Sequence, residues 1–226
     1  MQVQIHKPRC FGAAQPTATA SVESALPAEA SHALAALLPI LGCGEEAAGL
    51  AFAGLACAAS SDPVAALALQ RIACEEEVHD GLIHALAAAL PAPPDQTALL
   101  GRTRRFHLEL GRGEPVVRLA RIVALDSAVC LILSRLLRPG NPIARDEAAA
   151  RILRRIARDE AGHVRATRKL AAARGDEALL RRAGAPVRER LAELLMEAAD
   201  VFEALSFDPA WLRRDVGELP HGLYRS

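Results

Sequence analysis

Apolar residues recur at helical spacing from about residue 28 to about residue 205, and prolines and glycines interrupt the pattern. Aromatic residues make up only 3% of the chain, which argues against an all-β sandwich. Hydrophobic residues make up 51% and charged residues 24%, so the chain can bury a large core and is not a disordered polymer. The sequence therefore predicts a soluble, all-α protein.

The interruptions divide this pattern into four long helices and a fifth, weaker one. The predicted helices cover about 28–59, 63–90, 115–137, 143–174 and 176–205. Pro186 is expected to interrupt the fifth. The predicted domain organisation is a disordered or extended tail over 1–27, a helical bundle over 28–205, and a C-terminal tail over 206–226 that packs on the bundle and carries Trp211 and Tyr224.

The lengths of the connections predict the topology. Helices one and two are joined by about three residues and helices three and four by a five-residue turn, so each pair must be antiparallel. Helices two and three are separated by about 24 residues, with a short helix expected around Arg104 to Leu110. Such a connection can span the length of a bundle. This order predicts a ferritin-like four-helix bundle with one long crossover plus an additional C-terminal helix.

The charge balance and the cysteines exclude several classes of protein. Basic and acidic residues both number 27, so no overall basic field attracts nucleic acid or anionic lipid. No apolar run approaches the roughly 20 residues of a membrane span, and no secretory signal is evident in the first 25 residues. The five cysteines form no Cys-x-x-Cys pair, so we expect buried thiols in a reducing compartment rather than disulfides. The predicted location is the cytoplasm.

Two Glu-x-x-His motifs carry the chemistry of the sequence. Glu76 and His79 lie on the second predicted helix, and Glu160 and His163 on the fourth. Residues three positions apart lie on one helical face, so each pair can bind one metal ion through a carboxylate oxygen and an imidazole nitrogen. Both motifs continue apolar stripes that face the core. These stripes contain Leu69, Ile72 and Ile83 on helix two and Leu153, Ile156 and Val164 on helix four.

The other two helices are expected to supply one carboxylate each, because unpaired buried charge is costly and such sites draw on all four helices. Asp126 is the one interior candidate on the third helix. The first helix offers Glu45 or Glu46, and Glu45 is preferred because Leu41 and Phe52 share its face. Four carboxylates would balance the charge of two divalent cations.

Two stretches of the chain resemble a known family. Residues 155–163, Arg-Ile-Ala-Arg-Asp-Glu-Ala-Gly-His, resemble the last ligand helix of the ribonucleotide-reductase-like di-iron proteins, and residues 73–79 resemble the second-helix motif of the acyl-carrier-protein desaturases in that group. The resemblance spans about residues 40–170. The resemblance includes one departure: the family usually has glutamate where this chain has Asp126. Because the aspartate side chain is shorter by one methylene, it is expected either to draw its helix closer to the ions or to bind one ion only.

The resemblance also implies hydrogen-bond partners for the two histidines. In this family the acid that precedes the ligand glutamate of helix four hydrogen-bonds the histidine of the other motif. Asp159 would therefore contact His79, and Glu75 would do the same for His163.

The function that the resemblance implies is a non-haem di-iron oxidoreductase. Such an enzyme uses dioxygen to hydroxylate, N-oxygenate or desaturate a small organic substrate, and it receives electrons from a reductase. The expected cofactor is two iron ions, although manganese suits the same ligands. The implied ligands are Glu45, Glu76, His79, Asp126, Glu160 and His163. A monomer or homodimer is expected, and the alternatives are an iron-oxidation or storage protein and a metal-free helical scaffold.

Overall fold

The computed structural model describes residues 10–12 and 22–225, and every regular element within them is helical, as predicted. The helices are α1 (Ala28–Ala58), α2 (Pro63–Ala88), α3 (Thr97–Leu110), α4 (Pro115–Leu136), α5 (Pro142–Arg145), α6 (Glu147–Ala172), α7 (Glu177–Met196), α8 (Ala199–Ala204) and α9 (Pro209–Trp211). A π-helical turn over Leu212–Val216 continues the last of these. The predicted N-terminal tail lies mostly outside the described residues.

Helix starts follow the capping signals of the sequence. The Asp62 side chain accepts a hydrogen bond from the Ala65 N–H, and Pro63 occupies the first position of α2. Pro115 has the same place in α4. The crossover helix α3 is longer than predicted, because it begins at Thr97, behind a turn in which Asp95 accepts from the Thr97 N–H.

The predicted fourth helix is broken into α5 and α6 at Asp146. The Asp146 carboxylate accepts hydrogen bonds from the Ala149 N–H at 2.7 Å and from the Ala25 N–H at 2.6 Å, while the Ser24 hydroxyl donates to it at 3.1 Å. Asp146 therefore caps α6 and also fixes the segment that leads into α1. The unbroken helix was a wrong prediction because Ala25 and Ser24 are more than 100 residues away in sequence.

The expected interruption at Pro186 is also wrong. Helix α7 runs continuously through Pro186 and ends at Met196, before α8 begins. A proline removes one hydrogen bond within a helix. Packing of α7 against α4 holds the remaining turns in place.

The four long helices pack as two hairpins. Helix α1 packs along α2, α4 along α6, and α2 along α6, while α7 covers α4. Their buried apolar residues form two separate groups. The first apolar layer includes Phe52, Ile72, Val123 and Ala171. The second apolar layer includes Leu38, Ile83, Leu133 and Ile156. Between them, every one of the four helices contributes buried polar residues, which are Glu45, Glu76, His79, Asp126, Glu160 and His163.

The C-terminal segment is part of the core. Trp211 and Tyr224 are 7% and 2% exposed, and the Tyr224 hydroxyl donates a hydrogen bond of 2.5 Å to the Ala120 carbonyl of α4. The segment is therefore inserted against α4 and α7 rather than lying loosely on the surface.

A buried arginine holds the same segment in place. Arg188 of α7 is fully buried, and its guanidinium donates to the backbone carbonyls of Val216 at 2.5 Å and Asp215 at 2.8 Å. It also donates to the Ser127 hydroxyl of α4 at 2.9 Å. These carbonyls lie at the C-terminal end of the π-helical turn, where helices leave acceptors unpaired, so Arg188 stabilises that end.

Replacing Gly184 with alanine is expected to destabilise the fold by about 2 kcal/mol, because the new Cβ would overlap the Tyr224 hydroxyl and lie 3.2 Å from the Ala124 Cβ. The Tyr224 hydroxyl is buried and hydrogen-bonded to the Ala120 carbonyl, so it cannot move aside without losing that bond. Gly101→Ala is the matched control, because only the flexible end of Arg105 lies near that position, at 3.9 Å. Urea denaturation should show a lower free energy of unfolding for Gly184→Ala and a free energy of unfolding that is higher by roughly 0.5–1 kcal/mol for Gly101→Ala.

The expectation of five buried thiols is wrong. Cys10 and Cys43 form a disulfide, and Cys57 and Cys74 are exposed. The disulfide joins residues 10–12 to α1 across 33 positions. Cysteine spacing in the sequence does not reveal this pairing, because it depends on the position of residues 10–12 against α1.

Helix α1 is, by length and composition alone, apolar enough to cross a membrane. Glu45 and Glu46 interrupt its apolar residues. Within the structure, 56% of the apolar window is buried inside the protein, and the helix lies against α2 and α3.

Candidate metal centre

Four of the six polar residues between the two apolar layers bring their ligand atoms together. Ligand atoms of Glu45, Glu76, His79 and Glu160 all lie within 4.8 Å of one another, and all four residues are buried. They come from three different helices, so the bundle itself assembles the group. This buried group could hold a metal ion.

The two motif glutamates lie between the two imidazole rings. Glu76 has one oxygen, Oε2, 3.3 Å from His79 Nδ1 and the other, Oε1, 3.1 Å from His163 Nδ1. Glu160 Oε1 lies 3.5 Å from Nδ1 of each histidine. The ring centroids of the histidines are 5.6 Å apart. The carboxylates of Glu76 and Glu160 therefore each lie close to Nδ1 of both His79 and His163.

The two acids of α1 point to different places. Glu45 Oε2 lies 3.4 Å from His79 Nδ1, whereas Glu46 Oε1 accepts a hydrogen bond of 3.0 Å from the Phe11 N–H. Glu45 therefore belongs to the cluster, on the side of His79. Glu46 holds the short segment that is disulfide-bonded to α1.

Asp126 of α4 is buried near the cluster, although it does not belong to the four residues whose ligand atoms lie within 4.8 Å of one another. It is 5% exposed, and its burial and the charges of Glu160 and Glu76 raise the pKa of its carboxyl well above the usual value, while His163 opposes the shift. Within the described residues its Oδ2 atom has no hydrogen-bond partner. An orphaned carboxylate oxygen in a polar cluster is a suitable ligand for a cation.

The outer nitrogen of each imidazole faces a carboxylate of the other motif's helix. His79 Nε2 lies 3.3 Å from Asp159 Oδ2, and His163 Nε2 lies 2.9 Å from Glu75 Oε2. These are the partners that the family resemblance implies. A carboxylate at one imidazole nitrogen favours a proton there and leaves the other nitrogen free as a ligand. The nitrogen that faces the cluster is Nδ1 in both histidines.

Replacing Asp159 with alanine is expected to lower metal affinity by about 10- to 100-fold, because His79 would lose the acceptor that orients its ring. Arg158→Ala is the matched control, since that exposed side chain contacts Asp159 and not the histidine. Competition titration with a chromophoric chelator would measure both affinities. Equal affinity in the Asp159 variant and the wild type would contradict a role for this hydrogen bond.

The imidazoles of the cluster hold protons at the positions where metal ions could bind. Burial disfavours the charged form of His79, but Glu160, Glu45 and Glu76 outweigh this and raise its pKa to about 12. The carboxylates of Glu160 and Glu76 likewise overcome burial and raise the pKa of His163 to about 11. Burial would raise the pKa of Glu76, but the two imidazoles lower it to about 2. A metal ion that binds at Nδ1 of His79 or His163 would displace the proton on that nitrogen.

The donor atoms fit hard or borderline metal ions. Carboxylate oxygens and imidazole nitrogens are the ligands that iron and manganese take in proteins. His163 Nδ1 lies 3.1 Å from Glu76 Oε1, yet among the described residues it makes no well-directed hydrogen bond. Loss of the Nδ1 proton would make its lone pair available to a cation, and the Asp126 Oδ2 atom has no competing hydrogen bond among the described residues.

Three further residues surround the centre. Thr167 is buried and donates to the His163 carbonyl at 2.7 Å, and the Phe52 ring lies edge-on to His163 with centroids 6.2 Å apart. Burial and the charges of Glu160 and Asp126 raise the pKa of the Cys130 thiol to about 12, so it stays neutral beside the carboxylates. Helical spacing predicts that Thr167 and Cys130 lie near the centre, because Thr167 is four residues after His163 and Cys130 is four residues after Asp126.

Comparison of the chain with protein-family models, curated protein sequences and solved structures finds no match. What the centre does is therefore inferred from its residues, their distances and their protonation.

Proposed function

We propose that this chain is a ferritin-like, non-haem di-iron oxidoreductase that uses dioxygen to oxidise a small organic substrate. The observation that carries the proposal is the position of Glu76 and Glu160, each within 3.5 Å of Nδ1 of both His79 and His163. Two carboxylates between two imidazoles suit a pair of ions better than a single ion.

Each ion would have its own histidine and its own outer carboxylate. His79 and Glu45 would hold one ion, because Glu45 Oε2 lies 3.4 Å from His79 Nδ1, and His163 and Asp126 would hold the other. Glu76 and Glu160, each within 3.5 Å of Nδ1 of both histidines, would complete the ligand set. Four carboxylates and two neutral imidazoles carry four negative charges, which two divalent ions neutralise.

When bound, two carboxylate-held iron ions supply the electrons that reduce dioxygen and the oxidising power that acts on the substrate. The protein contributes position and environment. Asp159 and Glu75 hold the imidazoles with Nδ1 toward the ions, and the two apolar layers exclude water from both sides of the centre. Cys130 presents a neutral thiol rather than a competing thiolate ligand.

The test is to supply the protein with excess Fe²⁺ without oxygen and then to admit oxygen. We expect about two iron ions per chain, uptake that stops at that number, and a monomer or dimer by light scattering. Continued uptake into a shell of 12 or 24 subunits would identify a storage protein instead. Less than about half an ion of iron or manganese per chain would leave a metal-free scaffold.

A further inference from the structure

The turn of α1 that carries Glu45 has a low helix propensity. Gly42 and Gly44 lie within this turn, and Pro39, just before it, cannot donate a backbone hydrogen bond. Glycine and proline are the two least favourable residues in a helix interior. The turn therefore needs contacts from outside the helix to stay in place.

Apolar packing supplies few of those contacts. The large buried apolar side chains of α1 stop at Ile40 and resume at Phe52. Between these two positions, the buried residues are Cys43, Glu45 and Glu46. Segments with few buried apolar contacts open locally at a lower cost in free energy than the structure around them. The ligand candidate of α1 thus lies in a part of the helix that apolar packing alone holds weakly.

Residues 10–12, here called the N-terminal strap, bind the outer side of this turn. Cys10 is disulfide-bonded to Cys43, and the Phe11 N–H donates a hydrogen bond of 3.0 Å to Glu46 Oε1. The strap therefore contacts α1 at two positions, one on each side of the ligand glutamate in the sequence.

The disulfide is the covalent contact of the strap, and two weaker contacts accompany it. One is the hydrogen bond from Phe11 to Glu46. The other is a cation–π contact with α3, in which Arg104 Cζ lies 5.7 Å from the centroid of the Phe11 ring. A single hydrogen bond and a single cation–π contact are each weak at a partly exposed site. The strap is thus expected to detach when the disulfide is broken.

We propose that the Cys10–Cys43 disulfide is a redox-active modification site that controls how firmly Glu45 is held. While the disulfide is formed, the strap fixes the turn, and Glu45 stays 3.4 Å from His79 Nδ1. After its reduction, the strap detaches, the turn opens more often, and the Glu45 carboxylate is held less firmly as a ligand. The effect on bound metal rests on the proposed function, whereas the effect on the turn does not.

The co-reactant is a dithiol. One of its thiolates attacks the Cys10 sulfur, since Cys10 is half-buried whereas Cys43 is only 3% exposed. The S–S bond breaks, Cys43 leaves as a thiolate and takes up a proton, and a mixed disulfide forms on Cys10. The second thiol of the reductant then displaces Cys10 as a thiol and closes the reductant's own disulfide. Two electrons and two protons thus pass from the dithiol to the protein.

Hydrogen–deuterium exchange tests the turn without any metal. The oxidised chain is compared with the chain reduced by thioredoxin, a dithiol protein, and with Cys10→Ser. Peptides that cover residues 41–48 should exchange at least about 10-fold faster in the reduced protein and in Cys10→Ser, while peptides from α4 should not change. Cys57→Ser is the matched control, because this free thiol is exposed on the same helix, and it should exchange like the oxidised wild type.

A double variant tests whether the weak turn is the cause. Gly42→Ala and Gly44→Ala raise helix propensity, and the added Cβ atoms would lie 3.5 Å from Ile83 Cγ2 and 3.8 Å from His107 Nε2, which are ordinary contact distances. In this double variant, reduction should change the exchange of residues 41–48 by less than about 3-fold. A 10-fold change that persists would overturn the proposal, because a strengthened turn should no longer depend on the strap.

Release of Fe²⁺ to a chelator, without oxygen, tests the link to the metal centre. The reduced protein and Cys10→Ser should release one ion at least about 10-fold faster than the oxidised wild type and Cys57→Ser. Faster amide exchange in a protein that binds no iron would reject the proposed function and retain the redox site. Bound iron with equal amide exchange and equal release in both redox states would overturn the redox site alone. A disulfide that thioredoxin leaves intact would also overturn it.

Discussion

We expect that replacing Glu76 with alanine weakens the binding of both proposed metal ions at least about 100-fold, or roughly 2.7 kcal/mol per site. The reason is that the two oxygens of this carboxylate lie beside different imidazoles, at 3.3 Å from His79 Nδ1 and 3.1 Å from His163 Nδ1. Elemental analysis of reconstituted protein measures the loss. Circular dichroism should show unchanged helix content, because the apolar layers on both sides of the site remain.

The neighbouring residues supply the controls for this prediction. Glu77 is exposed on the same helix, and Glu77→Ala should bind two ions normally. Glu45→Ala should lose only the ion beside His79, and Asp126→Ala only the ion beside His163. A Glu76 variant that still binds two ions with wild-type affinity would refute the shared position of this carboxylate.

We expect that replacing Arg188 with methionine lowers the free energy of unfolding by about 3 kcal/mol. The side chain is fully buried and donates to the carbonyls of Val216 and Asp215 and to the Ser127 hydroxyl. Burial lowers the pKa of Arg188 to about 10, so it remains charged at neutral pH. Methionine has a similar length but no donors, so it would leave those acceptors buried and unpaired at about 1–3 kcal/mol each, partly offset by removal of the buried charge.

Urea denaturation measures this loss, and limited proteolysis locates it. The C-terminal segment after α8 should become the first site of cleavage in the variant, because Arg188 is what ties its carbonyls to α7. Arg182→Met is the control, since Arg182 is exposed on the same helix and its replacement should change stability by less than about 0.5 kcal/mol. Equal stability of the two variants would show that water or neighbouring groups satisfy the freed carbonyls.

Much of the helical fold is predictable from local signals. Capping Asp62 and Pro63 mark the start of α2, Pro115 marks the start of α4, and the short connections require antiparallel pairs. The errors have long-range causes. The break at Asp146 depends on Ala25, and the continuity of α7 through Pro186 depends on packing against α4. Residue spacing carries no information about such partners.

The inward direction of the two motifs was predictable because their apolar neighbours define the buried face of each helix. Apolar spacing alone separates Glu45 from Glu46 poorly, because adjacent positions on a helix differ by only about 100° and both residues are buried. Here the structure adds information that the sequence lacks. Phe11 engages Glu46 from outside the bundle, which leaves Glu45 facing His79. The Cys10–Cys43 disulfide was not predicted because it too depends on how residues 10–12 pack against α1.

The arrangement of the hydrocarbon core has a consequence for any metal ion that the centre binds. Packed side chains lie both above and below the centre in all four long helices, so most of the cohesion between the helices is independent of an ion. The protonated imidazoles of His79 and His163 already offset part of the negative charge of the carboxylates. We therefore expect that the finished polypeptide can be loaded with metal and emptied by a chelator without melting, as protons exchange for metal.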